Sequence, residues 1–338
     1  MTGRKAKPSS DAQPTLEDVA RRAGVSTATV SRVVNTPGKV AKATVERVQA
    51  AIAKTGYVPN LLAGGLASSR SRFVAALVPS IASSVFNDTM EAMSRALTEE
   101  GYLVMLALLD EGPGHAGVLD AVLGRRPDGV ILTSIEDDDA IRLKLKRSGS
   151  PIIETWGLPA NPIDLAVGFS HRDVGRDVAR HVKDLGYKRP LLLSAGMRRA
   201  RERTEAFARA WVKLGGAEPA KTFVESPTRY RPAREALRGF LDAGGKPDIV
   251  ICSSDWLADA CVVEARARGM KVPSDLAVFG FGDTHASSEG AVPLSTVRID
   301  GAQIGHAAAR MLLDRAAGRK ITDPIVDVGF EILDRESA

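Results

Sequence analysis

The chain reads as two structural classes joined end to end. An all-α helix-turn-helix headpiece comes first, then an α/β core of two doubly wound parallel-sheet lobes. Three observations predict this. Residues 14–58 carry three short helical periods separated by glycines and capping residues. From Phe73 onward, apolar runs of strand length alternate with amphipathic stretches of helix length. The charge divides near the same place: residues 1–72 hold 12 Lys and Arg against 4 Asp and Glu, whereas the remainder holds 34 against 37. A basic head on a mildly acidic body is the distribution of a polyanion-binding module attached to something else.

Residues 1–13 read as a polar, basic tail without order. In the first helix Leu16, Val19, Ala20 and Ala23 fall at i, i+3, i+4 and i+7, which makes one apolar face. Thr15 can cap the first turn, Asp18 puts negative charge near its start, and Gly24 ends it in a left-handed conformation. Ser26 caps a second helix, Thr27 to Asn35, with Val30, Val33 and Val34 inward and Thr27, Ala28, Ser31 and Arg32 outward. A third helix, about Ala43 to Thr55, turns Val45, Val48 and Ile52 inward and stops at Gly56. Two short helices around a glycine turn, with a third in support, form a helix-turn-helix. Its second helix would lie in the major groove, where Arg32 can take guanine by two hydrogen bonds and Ala28 can meet a thymine methyl. Arg21, Arg22, Lys39, Lys42 and Arg47 suit phosphate contacts. The same periodicity also fits a small three-helix bundle with solvated charges.

In the body the apolar runs are Phe73–Pro79, Tyr102–Leu109, Gly129–Leu132, Pro151–Trp156, Leu165–Phe169, Pro190–Leu193, Ile249–Cys252 and Leu276–Phe281. Helical stretches such as Asp88–Glu100 and Val174–Leu185 lie between most of them. Continuous apolar strands alternating with helices mean parallel sheets covered on both faces. The length exceeds one comfortable core, so two lobes are expected. The first spans about 73–163 and 296–322, and the second about 164–295 and 323–338. Ligands of such sheets bind beyond the carboxyl ends of the strands, which places a site in the cleft between lobes.

Several classes are excluded. The apolar runs are too short to span a bilayer, and no secretory leader precedes the polar start, so a cytoplasmic chain without a membrane partner is expected. Cys252 and Cys261 cannot make a disulfide framework and read as small buried hydrophobes. Gly280-Phe-Gly282 lacks the third glycine of a dinucleotide fingerprint, and Gly168-Phe-Ser170-His-Arg172 is not a nucleophile elbow. The histidines at 115, 171, 181, 285 and 306 have no metal-ligand spacing. Neither catalysis, nor a metal, nor a cofactor is expected.

The run from Thr15 to Asn35, Thr-Leu-Glu-Asp-Val-Ala-Arg-Arg-Ala-Gly-Val-Ser-Thr-Ala-Thr-Val-Ser-Arg-Val-Val-Asn, closely resembles the headpiece of the lac repressor/galactose repressor family of bacterial transcription regulators. The likeness continues through Val45-Glu-Arg-Val48 and Gly56-Tyr-Val-Pro-Asn60. It implies contacts to double-stranded operator DNA from Thr15, Ser26, Thr27, Ala28, Thr29, Ser31, Arg32, Asn35 and Tyr57. It also implies a hinge over 59–72, helical on DNA, with Leu66 as a minor-groove wedge of the kind that kinks a duplex. Two departures stand out. Ala41 replaces the usual serine cap, and Gly64-Gly65 weakens the hinge helix, so the hinge is expected to fold only on DNA.

The body resembles the family's effector domain, a periplasmic-binding-protein-like core. Val78-Pro-Ser80, Cys252-Ser-Ser-Asp255, Val272-Pro273 and Val278-Phe-Gly-Phe281 carry the likeness. Ile163-Asp-Leu-Ala-Val-Gly-Phe-Ser-His171 and Val326-Asp-Val-Gly-Phe330 are similar to the gluconate-utilisation repressors of the family. That implies a sugar-acid effector such as gluconate, ketogluconate or a phosphorylated derivative. Arg203 and Arg199 occupy family effector positions within the arginine-rich turn Met197–Arg203, and a guanidinium matches a carboxylate by two hydrogen bonds. Where a purine-binding relative would place another arginine, this chain has Met197. Asp255 would accept bonds from ligand hydroxyls, Phe86, Trp156 and Phe169 would wall the cleft, and His171 would assist with the anion. A homodimer on a pseudo-palindromic operator follows from the family. A tetramer stays open, although the tail past Phe330 lacks a leucine heptad. Two other readings remain: the same regulator answering a neutral sugar or nucleoside, and a sugar-binding module with a vestigial headpiece.

Overall fold

The computed structural model describes residues 13–58, 71–81, 84–109, 115–133, 138–225 and 230–338. The chain divides into two compact units, 1–71 and 72–338. The expected tail over 1–12 and the hinge from 59 to 70, with Gly64, Gly65 and Leu66, lie outside the described residues.

The first unit is helical. Helix α1 runs Leu16–Ala23, α2 Thr27–Asn35 and α3 Lys42–Thr55. Thr15 and Asp18 form a capping box, in which Asp18 N–H donates to the Thr15 hydroxyl at 3.3 Å and Thr15 N–H donates to the Asp18 carboxylate at 3.0 Å. Gly24 and Gly56 close α1 and α3 at φ of 65° and 69°, the left-handed region that a Cβ would strain. Ala41 stands at the N-cap of α3 with no side-chain hydrogen bond, so that end lacks a cap. Val19, Val30 and Val48 are fully enclosed, one from each helix, and Ala20, Ala23, Val33 and Ala51 complete the small core.

The second unit holds two parallel sheets. The strands are β1 Phe73–Val78, β2 Leu103–Leu108, β3 Gly129–Leu132, β4 Ile152–Thr155, β5 Leu165–Gly168, β6 Pro190–Ala195, β7 Ala220–Val224, β8 Ile249–Cys252, β9 Ala277–Phe279, β10 Thr296–Arg298, β11 Ile325–Asp327 and β12 Glu331–Leu333. The first sheet has the order β11-β5-β4-β3-β1-β2 and the second β7-β6-β8-β9, while β10 and β12 pair antiparallel. The helices are α4 Asn87–Glu99, α5 His115–Leu123, α6 Asp139–Arg147, α7 His171–Asp184, α8 Arg198–Lys213, α9 Tyr230–Asp242, α10 Asp255–Ala267, α11 His285–Ser288 and α12 Gly301–Ala316. Helix α4 packs on α12, α7 on α8, and α9 on α10.

The expected lobe boundaries need correction. Residues 165–168 pair with β4, and 325–327 pair with β5, so both segments belong to the first sheet rather than the second lobe. The chain therefore crosses between lobes after β5, after β10 and after β11. The reason is hydrogen bonding: β5 has a ready parallel neighbour in β4, and leaving it for the second lobe would orphan that ladder.

Two close helix contacts fix the layers. A Cβ on Gly175 of α7 would stand 2.3 Å from the Arg203 carbonyl of α8. One on Gly305 of α12 would stand 2.5 Å from the Thr89 carbonyl of α4. Both pairs of backbones touch where a side chain is missing, which brings α7 onto α8 and α12 onto α4. Cys252 and Cys261 are buried free thiols, 3.7 Å apart, in the core of the second sheet.

Candidate DNA-reading face and effector site

On α2 the outward residues separate into two kinds. Ser26 caps the helix, accepting from Thr29 N–H at 3.2 Å, and its hydroxyl lies 2.9 Å from that of Thr29. Asn35 donates to the Ser31 carbonyl at 2.9 Å, so Ser31 and Asn35 also bond locally. Thr15 is occupied by its capping box, and Tyr57 is half-buried against the small core. Thr27, Ala28 and Arg32 are exposed and carry none of the hydrogen bonds found within α2. Their side chains face outward from α2.

In the core, the meeting point of the lobes is a chain of rings. Phe86, just before α4, lies edge-on to Trp156 at 5.1 Å between centroids. Trp156 follows β4 and lies edge-on to Phe169 at 5.9 Å. Phe169, in the first crossover, lies 6.0 Å from Phe281, which follows β9. Arg199 at the start of α8 sits over the Phe86 face at 5.4 Å, and Arg203 sits over Phe281 at 3.6 Å. Trp156 and Phe169 are 2% and 0% exposed, so both rings are enclosed where the lobes meet.

Arg203 is the notable group. One guanidinium nitrogen donates to the Ser253 carbonyl at 2.8 Å and another to His171 Nδ1 at 3.0 Å. Among the described residues no carboxylate bonds to it. Burial first, and then the neighbouring Arg199, pull its pKa down from the ordinary guanidinium range to about 9. The nearby Glu202 charge opposes that fall without bonding to the guanidinium, so the cation is seated on neutral groups.

His171 opens α7 and is almost wholly enclosed. Its Nε2 lies 2.8 Å from the Trp156 carbonyl. Burial, then Arg203, then Arg199 hold its pKa well below the usual 6.5, so the imidazole is neutral at physiological pH. Asp255 opens α10. It is 2% exposed, and its carboxylate accepts from Thr296 Oγ1 at 2.6 Å and Thr284 N–H at 2.9 Å. It pins the second crossover and the turn after β9, and burial pushes its carboxyl up. Gly280 is required there, since a Cβ would stand 2.2 Å from the Asp255 carboxylate.

Sequence reasoning missed Phe281 and Ser253, which seat Arg203. The run Gly280-Phe-Gly282 was the available signal, because glycines flanking an aromatic residue mark close backbone packing. Beside Arg203 a cavity of about 30 Å³, lined among others by Gly175, Thr204, Phe207, Ile251 and Phe279, has room for roughly one water. Among the described residues no helix is long and apolar enough to cross a membrane.

Comparison with known proteins gives the following. Residues 15–60 match the family model of bacterial regulatory proteins, lacI family, and residues 179–338 match the periplasmic binding protein-like domain. The chain is 34% identical over 332 residues to the HTH-type transcriptional regulator GntR of Pseudomonas aeruginosa, covering 96% of each. A solved LacI-family transcriptional regulator from Silicibacter pomeroyi is similar with a TM-score of 0.88 at 30% identity, covering 96% of this chain and 99% of that one. A solved complex of the transcriptional regulator CelR with cellobiose is similar with a TM-score of 0.70 at 28% identity, covering 96% and 100%.

Proposed function

Because the chain belongs to the LacI family of bacterial regulatory proteins and is a DNA-binding transcriptional regulator, we propose that a small sugar acid sets its operator affinity. The observation that carries this reading is Arg203, a part-buried guanidinium that has no carboxylate bonded to it among the described residues and lies beside a second arginine. A neutral sugar would leave that charge uncompensated. Gluconate, ketogluconate or a phosphorylated derivative would meet it with a carboxylate or phosphate, the geometry a guanidinium fork fits. The stretches Ile163–His171 and Val326–Phe330 support the same ligand class.

The space beside Arg203 is too small for a sugar, so the ligand enters by parting the ring contacts between the lobes. Binding then favours one arrangement of the lobes by its difference in affinity for the two. On the DNA side, Thr27, Ala28 and Arg32 read bases, with Thr15, Ser26, Thr29, Ser31 and Asn35 shaping the helix ends. Two copies meet through β2. This edge strand leaves Leu103, Met105, Leu106 and Leu108 between 48% and 64% exposed, an apolar row with an unpaired ladder beside it. A regulator of this kind works in the cytoplasm.

A neutral-sugar effector is the second reading, favoured by the cellobiose complex of a relative at 28% identity. Calorimetry on the full-length protein separates the two. Gluconate or its phosphate should bind, glucose and cellobiose should not, and Arg203→Met should abolish the signal. Binding of cellobiose that survives Arg203→Met would establish the neutral-sugar reading instead.

A further inference from the structure

We propose that His171 is the positioning residue of the anion site: it aims Arg203 and joins that arginine to the first lobe. This rests on the reading of Arg203 given under Proposed function. A carbonyl oxygen only accepts and a guanidinium only donates. The Trp156 carbonyl at 2.8 Å therefore takes the proton of Nε2, and the Arg203 donor at 3.0 Å meets a bare Nδ1. Both ring nitrogens are spent inside the chain. The imidazole leaves the ligand to Arg203 and fixes which way that guanidinium faces.

The line continues past the imidazole. The Trp156 indole N–H donates to Thr89 Oγ1 at 3.0 Å, and the Thr89 hydroxyl donates to the Gly301 carbonyl at 2.8 Å. Five residues thus connect α8, α7, the end of β4, α4 and the first residue of α12. Trp156, whose carbonyl and indole both enter the line, has a φ of 63°, a conformation bulky residues rarely adopt. At Gly175 and Gly305 the flanking helices approach closely, against the Arg203 and Thr89 carbonyls. Contact at those points holds both ends of the line in register.

The charged groups facing the ring are Arg203 and Arg199, both from α8. A proton on Nδ1 would point at a donor and add a third positive charge, so protonation breaks the line at its centre. Burial and the two arginines keep the ring neutral.

Two measurements on the full-length protein test this. In 15N-histidine NMR, His171 should show the Nε2–H tautomer and titrate well below its ordinary value, and in Arg203→Met the titration should rise towards it. An Nδ1–H tautomer, or ordinary titration in the wild type, overturns the proposal. Gluconate calorimetry on two variants supplies the second arm. His171→Asn keeps an acceptor near Nδ1 and should bind within about threefold of wild type, while His171→Gln keeps only the donor and should bind at least about tenfold more weakly, one good hydrogen bond to a charge. Equal loss in both variants, or none in either, overturns the proposal. If the wild type fails to bind gluconate while the NMR result holds, the sugar-acid reading falls and the positioning of Arg203 stands.

Discussion

Removing the charge of Arg203 should stabilise the ligand-free protein. Burial, and then the adjacent Arg199, pull its pKa down to about 9 from the ordinary guanidinium range, and each pKa unit corresponds to about 1.4 kcal/mol. The folded chain thus carries that cation at a cost on the order of 3–5 kcal/mol. Arg203→Met relieves it with a side chain of similar length. The variant gives up the bonds to Ser253 and His171 and the face of Phe281, together about 1–3 kcal/mol. The net expectation is a gain of roughly 1–3 kcal/mol, in the range seen when buried charges give way to apolar groups. Scanning calorimetry of the ligand-free, full-length protein at neutral pH is the assay. The variant should melt a few degrees higher, and added gluconate should raise the melting temperature of the wild type alone. A variant that melts below wild type would show that the guanidinium stabilises the empty fold, and the argument that it waits for an anion would be refuted.

Three further outcomes follow from other parts of the structure. Arg32→Ala should weaken operator binding by about 1–3 kcal/mol and relax specificity at one base pair, while non-specific DNA binding changes little; a gel-shift series on operator and scrambled duplexes reads this. Ala41→Ser supplies the missing cap of α3 and should raise headpiece stability by about 1 kcal/mol, visible as slower amide exchange along α3. Glu264 is held by Arg238 and Arg234, which lower its carboxyl from 4.5 to about 2. Its folded pKa lies under the unfolded one, so its contribution is full above pH 4.5 and disappears as pH falls towards 2. Urea denaturation should find Glu264→Gln less stable than wild type at pH 7, with the gap shrinking at pH 3. A gap that widens on acidification would contradict the assignment.

Much of the fold is written locally. Thr15, Gly24, Ser26 and Gly56 mark helix ends by side-chain and backbone chemistry that acts within four residues, and the structure places the ends there. Strands enclosed on both faces, such as β1, β3 and β6, are legible as unbroken apolar runs. Strand β7, Ala-Lys-Thr-Phe-Val, sits at a sheet edge with mixed exposure, and β10, β11 and β12 have three residues each, too few for a periodicity. The lobe boundaries depend on which strand β5 finds as a neighbour, and that partner is fixed by tertiary pairing. The site divides in the same way. The run of arginines after β6 singles out Arg199 and Arg203 in the sequence, although the structure places them inside the first turns of α8 and not in a loop before it. The burial of Trp156, Phe169 and Asp255 follows from how the lobes close, and the seat made by Phe281 and Ser253 from how β9 and β8 meet α8.

The central claim is that an acid lodged at Arg203 alters the grip of Thr27, Ala28 and Arg32 on DNA. Fluorescence anisotropy with a labelled operator, titrated at saturating gluconate or its phosphate and again with glucose, tests it directly. The acid should change the operator dissociation constant by about 5- to 150-fold, the usual span of coupling between two sites, with no change for glucose or in Arg203→Met. Identical operator curves with and without an acid that calorimetry shows to be bound would contradict the account.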